Sequence, residues 1–219
     1  MLRSEVRAIA LDYLDDPQAG YFSTARVNSW INFAQQDVQK LLIESAEMYY
    51  LKSVETTLVV GQEDYVLPDD FLKLHRLEVI VSGLGTVNEE LYSIKEITFN
   101  QQDFSTRGYN SSSGTGTPTV YVIKRDRLKL IPAPDTAYTL RLHYSYTIAD
   151  LTDDSQSVDV PNNYMDLVAI YTAKRGFVKD DRMPQNILDL ENRYMDMLKK
   201  NSEDRTQDSP RQVVVTGEY

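Results

Sequence analysis

Histidine and paired aspartates are the residue types in this 219-residue chain that could carry chemistry. His75 and His143, the only two histidines, could together bind a metal ion through their imidazoles. Aspartates could hold a cation or transfer a proton, and they occur in adjacent pairs at positions 15/16, 69/70, 153/154 and 180/181. Each pair falls at a turn or a helix start, where aspartate is expected to accept hydrogen bonds from nearby backbone N–H groups. We therefore expect surface histidines, structural aspartates, and no catalytic residue, metal site or cofactor.

Other catalytic signatures are missing from the sequence. It contains no glycine-rich phosphate loop, nucleophile elbow or dinucleotide fingerprint. The absence of cysteine excludes a disulfide framework, thiolate zinc sites and cysteine catalysis. Met1–Arg7 carries charges where a signal peptide needs an apolar run, and no apolar run approaches the length of a membrane span. We expect a soluble protein, made in the cytoplasm, that does not bind membranes.

The formal net charge is −10, and no cluster of lysine and arginine stands out. An acidic balance favours solubility and repels nucleic acid, whereas proteins that grip DNA normally present a basic patch. Two interpretations remain open: an ordinary soluble protein, or a surface that DNA must pass without sticking.

The stretch Pro118–Tyr146 has the clearest strand pattern, and the other elements are arranged around it. Its last part alternates strictly, with Tyr138, Leu140, Leu142, Tyr144 and Tyr146 on one face. Val120–Lys124 and Leu128–Ile131 are two earlier β-rich runs, separated by Arg125-Asp126, which suits a hairpin turn. The pattern predicts an antiparallel meander of three strands.

Amphipathic helices are predicted on both sides of the strands. The apolar stripes expected to share one core are Leu2/Val6/Ile9, Val27/Ile31/Val38, Leu167/Ile170 and Ile187/Leu190/Tyr194, with Trp30 as a core anchor. Because a single amphipathic helix must bury its stripe, the two terminal pairs are expected to combine. The prediction is an α+β fold: a four-helix bundle from residues 1–50 and 160–202, an inserted antiparallel β domain at 51–150, and an extended C-terminal tail at 203–219.

Two polar segments are candidates for binding a partner. Ser105–Gly116 is rich in serine and glycine, and only Tyr109 in it could bury much surface. It is either a solvent loop or a segment that orders when a partner docks. In the C-terminal tail, Arg211 precedes a run of strong β formers, Val213, Val214, Val215 and Thr216. This run is either a disordered end, a strand of the protein's own sheet, or a strand added to a partner's sheet edge.

Two passages carry a resemblance to a known family. One is Tyr65–Val79, reading YVLPDDFLKLHRLEV; the other comprises Pro118–Ile123, Leu128–Pro134 and Tyr138–Tyr144. With a helical pair on each side, the chain resembles the head–tail adaptor (connector) proteins of tailed bacteriophages and gene transfer agents, from the first helix to about Lys200. The motifs are structural, so they specify a fold family rather than a site.

The resemblance implies a helical bundle from which the β unit projects, and a ring, typically dodecameric, below the portal protein at the capsid vertex. Such a ring extends the channel for double-stranded DNA, which passes through without specific binding, and offers a platform for tail proteins such as a stopper, tube or nozzle. C-terminal segments in the family commonly reach the portal. No catalytic residue is implied. The protein would reside at the head–tail interface of the virion after assembly in the host cytoplasm.

Other functions fit the same residues. Within a virion, the chain could be a tail-completion or stopper protein. From different classes, it could be a hydrolase of cell-wall glycans whose carboxylates are grouped by the fold, or a carbohydrate-binding β-module. Cyclic oligomers or portal binding would favour the adaptor, sugar release from peptidoglycan the hydrolase, and glycan retention by a small monomer the binding module.

Overall fold

The computed structural model describes residues 1–45, 48–85, 90–98 and 114–207. Contacts divide the chain into two compact units. The first combines Met1–Tyr49 with the chain from Ile148 onward and contains the helices. The second, Tyr50–Thr147, contains the strands. The chain thus enters the β unit once and leaves it once, between the second and third helices.

The helical unit has four α-helices in the described residues: α1 (Arg3–Tyr13), α2 (Thr24–Glu44), α3 (Met165–Lys179) and α4 (Gln185–Gln207). Half of a capping box starts α1: the Leu2 N–H donates to the Glu5 carboxylate at 2.8 Å, but the Leu2 side chain has no atom that could accept a hydrogen bond in return. Ser23 stands at the N-cap of α2, as predicted, although its side chain makes no capping hydrogen bond. A short 3₁₀ turn precedes α3, and α4 continues past its predicted end at Ser202.

The predicted four-helix bundle is wrong. α3 is the central helix: it packs against α1, α2 and α4, and α1 and α2 also touch each other. Ile187 and Leu198 are the only fully buried apolar side chains of α4 among the described residues, so this helix has too narrow an apolar stripe to form a quarter of a bundle. α1, α2 and α3 therefore share the apolar core, and α4 is added to it by contacts with α3.

Most of the predicted apolar stripes are buried, and the exceptions belong to the stripes predicted for α1 and α4. The buried members are Val6, Val27, Ile31, Val38, Leu167, Ile170 and Ile187. Leu2 is exposed because it precedes the helix as its N-cap. Ile9, Leu190 and Tyr194 are only half-buried. On α1 the places nearest the core are taken instead by Ala10, Leu11 and Leu14.

The β unit contains two four-stranded sheets, built from eight strands in the described residues. The strands are β1 (Leu51–Thr57), β2 (Asp64–Val66), β3 (Phe71–Ser82), β4 (Glu90–Ser93), β5 (Lys95–Glu96), β6 (Val120–Lys124), β7 (Arg127–Ile131) and β8 (Thr139–Tyr146). Their orders are β1-β8-β3-β4 and β2-β7-β6-β5. Every pair is antiparallel except β5 with β6, which is parallel, so the predicted all-antiparallel domain also needs this correction.

The predicted three-strand meander is wrong in its third strand. β6 and β7 do form a hairpin around Arg125-Asp126, with Arg125 in the left-handed region at φ 57°. β8, however, belongs to the other sheet, between β1 and β3. The reason lies in Pro132 and Pro134, which have no N–H to donate to a ladder. The pairing of β7 stops before them, and the chain crosses from the β2-β7-β6-β5 sheet to the β1-β8-β3-β4 sheet before β8 begins.

One apolar cluster holds the two sheets together. It combines Leu77, Val79, Leu140, Leu142 and Tyr144 of the first sheet with Tyr121, Leu128 and Leu130 of the second, together with Leu58, Tyr65, Leu67, Ile94 and Tyr138. The apolar alternation predicted for β8 is correct for Leu140, Leu142 and Tyr144, and Tyr146 packs against the cluster partly buried. Ser145, on the predicted polar face, is nevertheless buried as well. The two sheets pack face to face as a sandwich.

Candidate functional site

The two histidines bind different partners on the first sheet. The Nδ1 atom of His143 lies 2.7 Å from Ser53 Oγ on β1, and its Nε2 lies 3.1 Å from Glu78 Oε2 on β3. The Nε2 atom of His75 lies 2.6 Å from Ser145 Oγ on β8. Burial, with a contribution from the nearby charge of Lys73, lowers the pKa of His75. Among the residues that the structure describes, no group of three or more histidines and carboxylates is placed to hold a metal ion.

Glu78 is a buried charged residue that sequence analysis did not identify as a candidate for any role. Its carboxylate lies 2.7 Å from Arg76 Nε and 3.7 Å from Arg141 Nη1. Arg141 also binds Glu55 on β1 at 2.8 Å. The polar phase of β8 was visible in the alternation, but the register that sets Arg141 opposite Glu78 was not. This network joins three strands of one sheet and serves its stability.

The aspartate pairs serve structure at both short and long range. Asp16 accepts hydrogen bonds from the backbone N–H groups of residues 20–22, and that of Phe22 contributes most to the lowered pKa of its carboxyl. Asp70, by contrast, binds Lys52 at 2.7 Å and the Tyr144 hydroxyl at 2.8 Å. Asp154 accepts hydrogen bonds from Arg7 and Arg3, which hold its pKa at about 2. The local role was expected; the long-range pairings were not.

The partner-binding residues predicted from the sequence lie outside the described residues. These are Tyr109, Arg211, Val213, Val214, Val215 and Thr216. Only the end of the Ser105–Gly116 segment is described, from Gly114 onward. There the Gly116 N–H donates to the Ala133 carbonyl at 2.7 Å, which fixes this end beside the chain that follows β7.

The helical unit has an open groove on its surface. Its volume is about 870 Å³, and it runs between α2 and α3 with one contribution from α4. Its apolar walls are Trp30, Leu41, Tyr171 and Val178. Val178 is 68% exposed, so most of this apolar side chain is accessible in the groove. Burial and the nearby Glu191 raise the pKa of Tyr171 to about 12, so its hydroxyl stays neutral.

Trp30 was predicted to be a core anchor, and this is correct for only one side of its ring. Its ring contacts the buried Phe22 edge-on, at 5.4 Å between centroids. The rest of the indole is accessible and forms a wall of the groove. An aromatic side chain held rigidly on one side and open on the other is typical of protein–protein interfaces.

The rim of the groove is basic, although the chain as a whole is acidic. Five basic residues and three acidic ones line it: Arg26, Lys40, Lys174, Arg175 and Lys179 against Asp37, Glu44 and Glu191. Lys174 pairs with Glu191 at 2.6 Å and Arg175 with Asp37 at 2.7 Å, which orders the walls. Apolar walls under a net positive rim suit a polypeptide that offers apolar and acidic side chains.

In the described residues, the charged side chains of the first sheet bind one another, and the helical unit presents an open groove with apolar walls and a basic rim. The chain belongs to the SU10 adaptor protein family, whose model matches residues 2–215. No curated protein matches its sequence. The match confirms the resemblance to phage head–tail adaptors, and it makes the chain a bacteriophage adaptor, a structural class of virion protein. None of the described helices combines the length and the apolar character needed to cross a bilayer.

Proposed function

We propose that this adaptor assembles as a ring, dodecameric as the family resemblance implies, below the portal at the head–tail interface. In this position the ring extends the DNA channel from the portal and offers a platform to a stopper, tube or nozzle protein. Assembly takes place in the host cytoplasm, and no membrane or cofactor takes part. The observation that carries the proposal is the family match over residues 2–215, which covers both units.

The charge of the chain supports a channel role. A net charge of −10 leaves little to hold the phosphates of DNA that must slide past. Several of the described basic residues are occupied: Arg3, Arg7, Lys52, Arg141, Lys174 and Arg175 pair with carboxylates of the same chain. A lumen lined by neutral and acidic groups lets double-stranded DNA pass without specific binding.

Two segments are proposed to contact the partners. The run Val213–Thr216, with Arg211 beside it, adds as a strand to a sheet edge of the portal or of a neighbouring subunit, where backbone hydrogen bonds supply the affinity. Tyr109, in the serine- and glycine-rich segment, contacts a neighbouring subunit or a tail protein. Both assignments rest on composition: each segment places residues suited to binding in an otherwise polar stretch.

Reconstitution with portal-bearing heads tests the proposal. Purified protein is added to DNA-filled heads that lack it, and bound particles are imaged and counted for tail attachment. We expect one ring at the portal vertex of each head, and tails that join only heads carrying it. Binding scattered over the capsid, or tail joining that does not depend on the protein, contradicts the proposal. The stopper alternative is excluded if the protein binds the portal directly with no other connector present.

A further inference from the structure

We infer that the groove between α2 and α3 receives the exposed face of α1 from the neighbouring copy, so that copies join head to tail. The inference rests on the proposed ring and names the surfaces that build it. Both surfaces belong to the helical unit, and neither includes a segment outside the described residues.

The two surfaces lie on opposite sides of α3, as a head-to-tail contact requires. α1 packs on α3 closely enough that a Cβ added at Gly176 would lie 2.5 Å from Leu14 Cδ2. Val178, two residues further along α3, lines the groove and is exposed. Two residues turn an α-helix by about 200°, so the side of α3 that holds α1 is opposite the side that opens into the groove.

The exposed face of α1 carries negative charge. Glu5, Ala8 and Asp12 are exposed and follow helical spacing along one side of the helix. The two arginines of α1 are turned away from this face, since Arg3 and Arg7 both bind Asp154. Asp15, just after the helix, is exposed as well and extends the acidic side. The result is a narrow acidic strip around a small side chain that lets a partner approach closely.

The groove is complementary to that strip. Arg26 and Lys40 are exposed on its α2 side, and Lys40 lies 3.7 Å from Asp37 of the same helix. Lys179 is exposed at the end of the α3 side, with its ammonium near the rings of Tyr21 and Phe22. Opposite charges on two different surfaces of one molecule favour a heterologous contact, whereas like charges disfavour pairing groove to groove or α1 to α1. A heterologous contact repeated by rotation closes into a ring, which an isologous contact between two copies cannot do.

Cysteine cross-linking tests the contact directly, because the chain has no cysteine of its own. The full-length protein is made with Asp12→Cys together with Arg26→Cys or with Lys40→Cys, and is oxidised mildly under the conditions in which it assembles. Each copy then carries one cysteine on each surface, so a head-to-tail contact produces a covalent ladder on non-reducing gels. The single variants, and Asp12→Cys paired with Lys199→Cys on the exposed part of α4, serve as controls.

A ladder from the groove pairs and none from the controls supports the inference. Equal ladders from the Lys199 pair, or no ladder from either groove pair, overturns it. Charge reversal gives a second measurement: Asp12→Lys should lower the assembled fraction several-fold, and Lys40→Asp in the same chain should restore it. An unchanged assembled fraction, or no restoration, counts against the contact.

Native mass spectrometry of the unmodified protein, alone and with purified portal, distinguishes a failure of the proposed contact from a failure of the proposed ring. Rings that form while the groove pairs fail to cross-link mean that the contact lies elsewhere and the proposed ring stands. If no cyclic oligomer forms under either condition, the inference and the proposed ring are both wrong. Cross-linking of the groove to an added tail protein instead identifies that protein as the occupant and also overturns the inference.

Discussion

Asp154 accepts hydrogen bonds from Arg7 at 2.7 Å and from Arg3 at 2.9 Å, and the same Arg3 donates to the Leu151 carbonyl at 2.8 Å. These bonds tie α1 to the segment that follows the β unit. Arg3 is buried, so its charge depends on this carboxylate for compensation. The contact joins residues 151 positions apart in sequence, and it fixes where the first helix sits on the returning chain.

Replacing Asp154 by asparagine should lower the melting temperature at pH 7, and the loss should vanish in acid. The folded pKa of about 2 is below the ordinary value of 3.8. A depressed pKa contributes stability that is present above 3.8 and is lost as the pH falls from there towards 2. Thermal unfolding of both proteins between pH 2 and pH 7 checks this. Asp196→Asn, at an exposed site on α4, is the control; an equal effect from it would refute the role of Asp154.

At the scale of elements, hydrophobic periodicity located helices and strands but not their partners. The buried stripe of α2 and the alternation of β8 were read correctly, because each depends only on residues near one another in sequence. The pairing of β8 with β1 and β3 depends on chain crossing between sheets, which no local pattern encodes. The four-helix bundle failed for a related reason: an apolar stripe says that a helix must be covered, not which helix covers it.

The candidate site shows the same limit. Trp30 and Tyr171 are ordinary aromatic residues in their own helices, and the groove exists only because α2 and α3 pack with these side chains at the margin. The role of the buried Glu78 could not be predicted either. Arg76 lies two residues earlier on the same strand, but Arg141 comes from β8 and meets Glu78 only through the pairing of the strands. The aspartates that bind neighbouring backbone groups were predictable because those partners are local.

Alanine substitutions should distinguish the shared core from the added helix. Ile31 on α2 is fully buried, so Ile31→Ala should cost about 2–5 kcal/mol in the free energy of unfolding. Leu190 on α4 is only half-buried, so Leu190→Ala should cost clearly less, because it removes less apolar contact. Denaturant unfolding of the two variants measures both costs. A cost for Leu190→Ala equal to that for Ile31→Ala would mean that α4 shares the core after all.

Deleting residues 105–113 should separate folding from tail attachment. Gly116 is bonded to Ala133, so the deletion is placed to end before this contact. We expect the melting temperature to stay near that of the full chain, and tail attachment to portal-bearing heads to weaken. Tyr109→Ala is the matched point variant, because Tyr109 is the aromatic residue of the Ser105–Gly116 segment. Full tail attachment by both variants would leave the segment as a solvent loop.

For the whole molecule, the acidic balance sets the behaviour towards DNA. With a net charge of −10, the purified protein should bind double-stranded DNA weakly, and lowering the salt concentration should strengthen this binding little. Fluorescence anisotropy with a labelled duplex over a range of salt concentrations measures this. A variant with several exposed carboxylates reversed to lysine is the positive control. Tight binding by the natural protein that falls steeply with salt would contradict a channel through which DNA slides.

Assembly of the whole virion is where the C-terminal tail should act. α4 extends to Gln207, beyond the end expected from the sequence, so the tail is best removed after Gln207 to leave the helix complete. The last buried apolar residue among those that the structure describes is Leu198, so the melting temperature of the truncated protein should stay nearly unchanged. Assembly onto portal-bearing heads should be abolished, since Val213–Thr216 would no longer be present to add a strand to the partner's sheet.

Replacing the four β formers by serine in the full-length chain is the matched control for tail length. If the truncated protein still occupies the portal vertex, the portal contact lies on the described units instead.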